Sequence, residues 1–127
     1  MQAYAEELLP RMLAPRTIAQ DPKLARYVLE MMRRTPVSGA AAALRGRAGR
    51  INYGPTLASL SLATLIVSGG RDPFTTRAER EPMHEAIDDS LLVWIEEAGH
   101  MPNLEAAPVF NAALQKFIEP MSKGARR

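Results

Sequence analysis

Two stretches of the chain are apolar without alternation, Thr64-Leu65-Ile66-Val67 and Leu91-Leu92-Val93-Trp94-Ile95. Runs of this length, rich in β-branched and aromatic residues, suit strands covered on both faces of a parallel sheet. Elsewhere the apolar positions recur at helical spacing. Leu8, Leu9, Met12 and Leu13 mark a helix over residues 4–13, closed by Pro15. A single turn is predicted at 17–20. Asp21-Pro22 then opens a helix to about Arg34, with Asp as its cap and Pro at its first position. Leu24, Tyr27, Val28, Met31 and Met32 are predicted to line one face of it, and Arg33 and Arg34 suit its negative end. Pro36 stops that helix and starts another, alanine-rich, through 40–47, ending before Gly49. Residues 51–62 give a short turn or helix. Between the apolar runs, 76–87 is a helical stretch of the length that a parallel crossover needs, capped by Thr75 or Thr76 and interrupted at Pro82. A last helix is predicted over 108–118. Val109, Phe110, Ala113, Leu114 and Phe117 form its sheet-facing stripe, Pro120 ends it, and 122–127 reads as a frayed basic tail.

Composition narrows the class. At 127 residues, with 46% hydrophobic and 24% charged, the chain is globular in character. Yet it offers only two strands, and a two-stranded parallel sheet is a poor independent structure, so the chain is expected to be part of a larger assembly. No apolar run reaches the ~20 residues that span a bilayer, and the first ten residues carry Glu6 and Glu7 in place of a basic export signal. With no cysteine, a disulfide framework and a thiolate metal site are excluded, and the expected location is the cytoplasm. The net charge of +2 is uneven. Residues 1–50 hold nine Lys/Arg against four Asp/Glu, and residues 51–122 hold four against ten. A basic first third can steer an anionic ligand, although solvated helix faces are the commoner cause of such a bias.

The chemistry is concentrated after the two apolar runs. Each ends in a glycine-bearing turn, Gly69-Gly70-Arg71-Asp72-Pro73 and Ala98-Gly99-His100-Met101-Pro102. Ligands collect beyond the carboxyl ends of parallel strands, so Asp72 and His100 are expected to meet there. A carboxylate beside an imidazole fixes its tautomer and stabilises the imidazolium formed when the ring takes a proton. The other histidine, His84, lies mid-helix among Glu81, Glu85 and Asp88 and reads as a solvated surface residue. Glu105 reads as a support for the histidine loop, and Gly69-Gly70 as a tight strand exit. A G-x-S-x-G nucleophile elbow is absent: Pro36 and Ile66 stand two positions before Ser38 and Ser68, and Ser59 and Ser61 lie in a leucine-rich segment without flanking glycines. No zinc spacing, phosphate-binding loop, basic-aromatic nucleic-acid surface or internal repeat is present.

The two turns, in this order and twenty-eight residues apart, resemble the acid and histidine loops of the α/β-hydrolase superfamily. The stretch LLPRMLAPRTIAQDPKLARYVLEMMRRTP is similar to the cap of 3-oxoadipate enol-lactonase-like members. One departure is Ala63, where family members often carry Pro before the strand. The resemblance implies an α/β fold, namely the C-terminal part of a hydrolase, with a helical cap segment at 1–60 and a core segment at 61–127. It implies Asp72 and His100 as catalytic residues, without cofactor or metal. Its partners would be a small-molecule carboxylic ester or lactone, anionic in the narrowest reading, and an N-terminal half bearing the nucleophile, without which the chain would be inactive. No nucleic-acid or membrane partner is implied. The alternative is a non-catalytic remnant that self-associates through an open sheet edge.

Overall fold

The computed structural model describes residues 1–124, with side chains as far as Met121. Helices α1 (Gln2–Met12), α2 (Pro15–Gln20), α3 (Pro22–Arg34), α4 (Val37–Ala48) and α5 (Gly54–Leu57) precede strand β1 (Thr64–Gly69). Helix α6 (Arg77–Glu85) then crosses over to β2 (Ser90–Ile95), and α7 (Pro102–Glu105) and α8 (Ala107–Gly124) follow. The fold is α/β: β1 and β2 pair in parallel, in register from Thr64 opposite Ser90 to Gly69 opposite Ile95.

Local chemistry sets most boundaries. The Asp21 side chain accepts from the Leu24 amide at 2.9 Å, capping α3, and Pro22 occupies its first turn. Thr76, and not Thr75, caps α6 through a capping box with Glu79. Two prolines behave differently from expectation. Pro82 lies inside α6 without interrupting it, and Pro120 lies inside α8, which runs on to Gly124. In each case the carbonyl left without a helical partner belongs to an exposed residue, Ala78 or Lys116, so that losing the bond does not strand a buried acceptor. Of the expected basic tail, residues 125–127 lie outside the described residues.

The core sits between the helical segment and the histidine loop. Leu13, Ala25 and Val28 are buried, and Leu9, Met12, Ile18, Leu24 and Met32 pack around them from α1, α2 and α3. Met101 and Leu104 complete the cluster from the far end of the chain. The α3 face is narrower than expected: Tyr27 and Met31 are 60% and 41% exposed, because only the Leu24-Ala25-Val28-Met32 side meets α1 and α2. The sheet is also less covered than its sequence predicted. In β1, Ile66, Ser68 and Gly69 are buried, but Leu91 of β2 and Val109 of α8 are each 53% exposed. Two strands flanked by α6 and α8 leave part of the sheet open to solvent.

Candidate active site

The site is made by the two loops that leave the parallel strands, and backbone packing forces them together. The Gly70 amide donates to the Ile95 carbonyl at 2.9 Å and the Arg71 amide to the Ala98 carbonyl at 2.8 Å. A Cβ on Gly69 would overlap the Gly99 carbonyl oxygen, and one on Gly99 would stand 2.7 Å from the Ala14 nitrogen. Neither glycine has a positive φ. They are required by close approach of backbone to backbone, which no larger residue allows.

Beyond Gly70 the chain turns on Asp72. Its Oδ1 accepts from the Phe74 amide at 2.8 Å, two residues ahead, as in an Asx-turn. Its Oδ2 accepts from the Thr75 hydroxyl and lies 3.0 Å from His100 Nδ1. The Asp72 side chain is only 6% exposed, whereas that of His100 is 38% exposed. Burial pushes the Asp72 carboxyl up, but hydrogen bonds from Thr75, His100 and the Phe74 amide, helped by attraction to His100, outweigh it and hold the pKa below the ordinary aspartate value. An ionised carboxylate can only accept, so Nδ1 carries the hydrogen and donates it. In the neutral ring that leaves Nε2 as the nitrogen without a hydrogen, and Nε2 has no hydrogen-bond partner among the described residues.

Glu105 holds the histidine loop to the helical segment. Its Oε1 accepts from the Gly99 and Met101 amides at 2.8 and 3.2 Å, and its Oε2 from the Ala14 amide and the Thr17 hydroxyl, both at 2.7 Å. The His100 amide adds a hydrogen bond to the Met12 carbonyl at 3.1 Å. The expected supporting role of Glu105 is thus visible, and it reaches across to the α1–α2 junction as well. His84 differs from its expectation: it is half-buried, with Nδ1 2.7 Å from the Ser90 hydroxyl, tying the end of α6 to the start of β2. Ser68 is 3% exposed, and its hydroxyl has no hydrogen-bond partner, His100 included.

His100 faces a cavity of about 340 Å³ between its own loop and the ends of α1 and α4, within the size range of small-molecule sites. Leu8, Met12 and Leu44 supply apolar wall, and the Phe74 ring meets the imidazole edge-on, with centroids 4.9 Å apart. Tyr4, Arg11 and Arg47 complete the cavity; the two guanidinium carbons lie 4.4 and 5.8 Å from the Phe74 centroid. A larger cavity of about 620 Å³ along the exposed side of α3 touches neither Asp72 nor His100. Thr75, Phe74, Arg11 and Arg47 do not stand out in the sequence. An Asp followed at the third position by Thr is a local turn signal that could have revealed Thr75. No signal along the chain links Arg11 or Arg47 to His100.

A parallel β-α-β unit with an acid loop and a histidine loop at its strand ends is an α/β-hydrolase arrangement, and this chain belongs to the α/β-hydrolase fold superfamily. It is similar to 3-oxoadipate enol-lactonase 1 of Acinetobacter baylyi, 31% identical over 100 residues that make up 79% of this chain and 37% of that protein. It is also similar to a pimeloyl-[acyl-carrier protein] methyl ester esterase of Neisseria meningitidis, 35% identical over 63 residues, or 50% of this chain and 24% of that one. Among solved structures, a thermophilic esterase from Thermogutta terrifontis superposes with a TM-score of 0.88 at 30% identity, covering 93% of this chain and 43% of that one. The chain therefore spans well under half the length of these relatives. No family model matches it.

Proposed function

We propose that this chain supplies the general base and its orienting acid to a serine-type hydrolase that cleaves a carboxylic ester or lactone. The observation that carries this reading is the 3.0 Å contact between His100 Nδ1 and Asp72 Oδ2, with the imidazole facing a cavity. In the proposed cycle Nε2 takes the proton of a serine hydroxyl as its oxygen bonds to the substrate carbonyl carbon. His100 then returns that proton to the leaving alkoxide as the ester C–O bond breaks. Water, activated by the same nitrogen, releases the acid and restores the serine. Asp72 holds the ring in its productive tautomer throughout.

The relatives support the reaction class, since they include a lactonase and ester esterases; an enol-lactone of the 3-oxoadipate type is the narrowest substrate we propose. Residues 1–60 would act as the cap over the site and 61–127 as the core beneath it. The chain has no G-x-S-x-G segment, so the serine would come from a separate stretch of polypeptide, and the chain by itself would be inert toward esters. Co-expression with a nucleophile-bearing N-terminal half of a related lactonase, assayed on p-nitrophenyl acetate, tests this. Turnover is expected only with both halves, and His100→Ala should lower it by about 10⁴-fold or more. Turnover indifferent to His100→Ala would falsify the assignment. The second reading, a non-catalytic self-associating module, draws on the exposure of Leu91 and Val109.

A further inference from the structure

Two adjacent threonines follow the Asp72 turn, and they take different partners. Thr76 caps α6, with both its hydroxyl and its amide engaged by Glu79 in the capping box. The helix end therefore has no need of Thr75. The Thr75 hydroxyl donates instead to Asp72 Oδ2, the same oxygen that faces His100 Nδ1. A carboxylate oxygen has lone pairs enough for both donors. Thr75 also stands outside the lining of the cavity that His100 faces. Its hydroxyl serves neither the helix nor that cavity, and its effect falls on Asp72.

A carboxylate turns about its Cβ–Cγ bond in a broad, two-fold torsion. The Phe74 amide fixes Oδ1 at 2.8 Å, and a single bond of this kind leaves Oδ2 able to swing. His100 is a poor anchor for it, because the imidazole stands partly in water whereas the Asp72 side chain is buried. Thr75 supplies the second fixed point from within the same four-residue turn. Which nitrogen of a neutral ring holds the hydrogen follows from the hydrogen bonds the ring makes. We infer that Thr75 is a positioning residue: by holding Asp72 Oδ2 toward the histidine loop, it selects the His100 tautomer that carries its hydrogen on Nδ1 and leaves Nε2 bare. The selection of the tautomer follows from the geometry of the turn. Its bearing on rate rests on the catalytic reading above, in which Nε2 must be without a hydrogen to act as base.

The test is nitrogen NMR of the isotopically labelled chain at about pH 8, where an ordinary imidazole is neutral and the shifts of its two ring nitrogens give the tautomer ratio. The native His100 should be predominantly the Nδ1–H form. Thr75→Val keeps the shape and loses the hydroxyl, and should lower the ratio of Nδ1–H to Nε2–H by about fivefold, the effect of one ordinary hydrogen bond. Thr75→Ser, which keeps the hydroxyl, should restore it. Carbon NMR should show the Asp72 carboxyl titrating at higher pH in the valine variant, since one donor to its charged form is gone. A native tautomer ratio in Thr75→Val overturns the inference, and so does a mixed ring in Thr75→Ser, which decides the matter should the valine variant not fold. In the co-expressed two-half enzyme, Thr75→Val should lower kcat by about fivefold and leave KM unchanged; a loss confined to KM would count against a positioning role. Turnover that survives His100→Ala sinks the catalytic reading alone, because the tautomer ratio is read on the chain without its partner.

Discussion

Asp72 combines burial with ionisation. A carboxylate removed from water is costly unless its lone pairs are filled, and Asp72 fills them from Thr75, the Phe74 amide and His100. The result is a pKa below its ordinary value, with a definite consequence for stability. The unfolded chain takes up the proton first as pH falls. Asp72 therefore contributes its full stabilisation above about pH 5, and loses it progressively below about pH 4 as pH descends through the folded-state value. Urea denaturation between neutral and acid pH should show the native chain losing stability more steeply on the acid side than Asp72→Asn. Parallel acid limbs for the two proteins would contradict this account. At the same scale, His100 owes its place to its neighbours. The residue itself was legible in the sequence; the Thr75 hydroxyl and the Phe74 ring that hold its partner and its edge were recognised only in the fold.

Among the elements, the decisive joint is the one Glu105 makes between the α1–α2 junction and the histidine loop. Four donors converge on one carboxylate, and two of them, the amides of Ala14 and Gly99, belong to buried residues. Glu105→Ala would strand those amides without partners and should cost about 3 kcal/mol or more, while Thr17→Ala removes one donor cleanly and should cost about 1 kcal/mol. Urea midpoints of the two variants check the ordering; a Glu105→Ala chain no weaker than Thr17→Ala would show that the joint contributes little. The Asp21-Pro22 capping signal was legible because it acts over three or four residues, while the choice of Thr76 over Thr75 came only with its capping box to Glu79. Pro82 and Pro120 misled because a proline removes one hydrogen bond, and its effect depends on whether the freed carbonyl meets water. His84 misled for a related reason: Ser90, six residues on, lies beyond its own helix.

At the scale of the molecule, a two-stranded parallel sheet leaves strand edges and apolar faces without cover. Leu91, Val109 and Leu62 are each more than half exposed, and Leu65, Val93 and Phe117 help line a groove of about 400 Å³ between the sheet and α8. Such surfaces promote association. In size-exclusion chromatography at micromolar concentration the chain alone should elute as dimers or larger species, and adding a nucleophile-bearing half should shift it to a one-to-one complex. A monomer unaffected by that addition would count against both proposed partners, the second copy and the missing half. By itself the sequence determined the strands, most helix boundaries and the identities of Asp72 and His100, because periodicity, caps and turn chemistry are properties of neighbouring residues. Only the tertiary structure decided what closes around them: Arg11, Arg47 and Phe74 on one cavity, and Glu105 reaching back 91 residues to Ala14. Those pairings depend on how helices pack against loops, and packing follows three-dimensional shape and burial that no local pattern encodes.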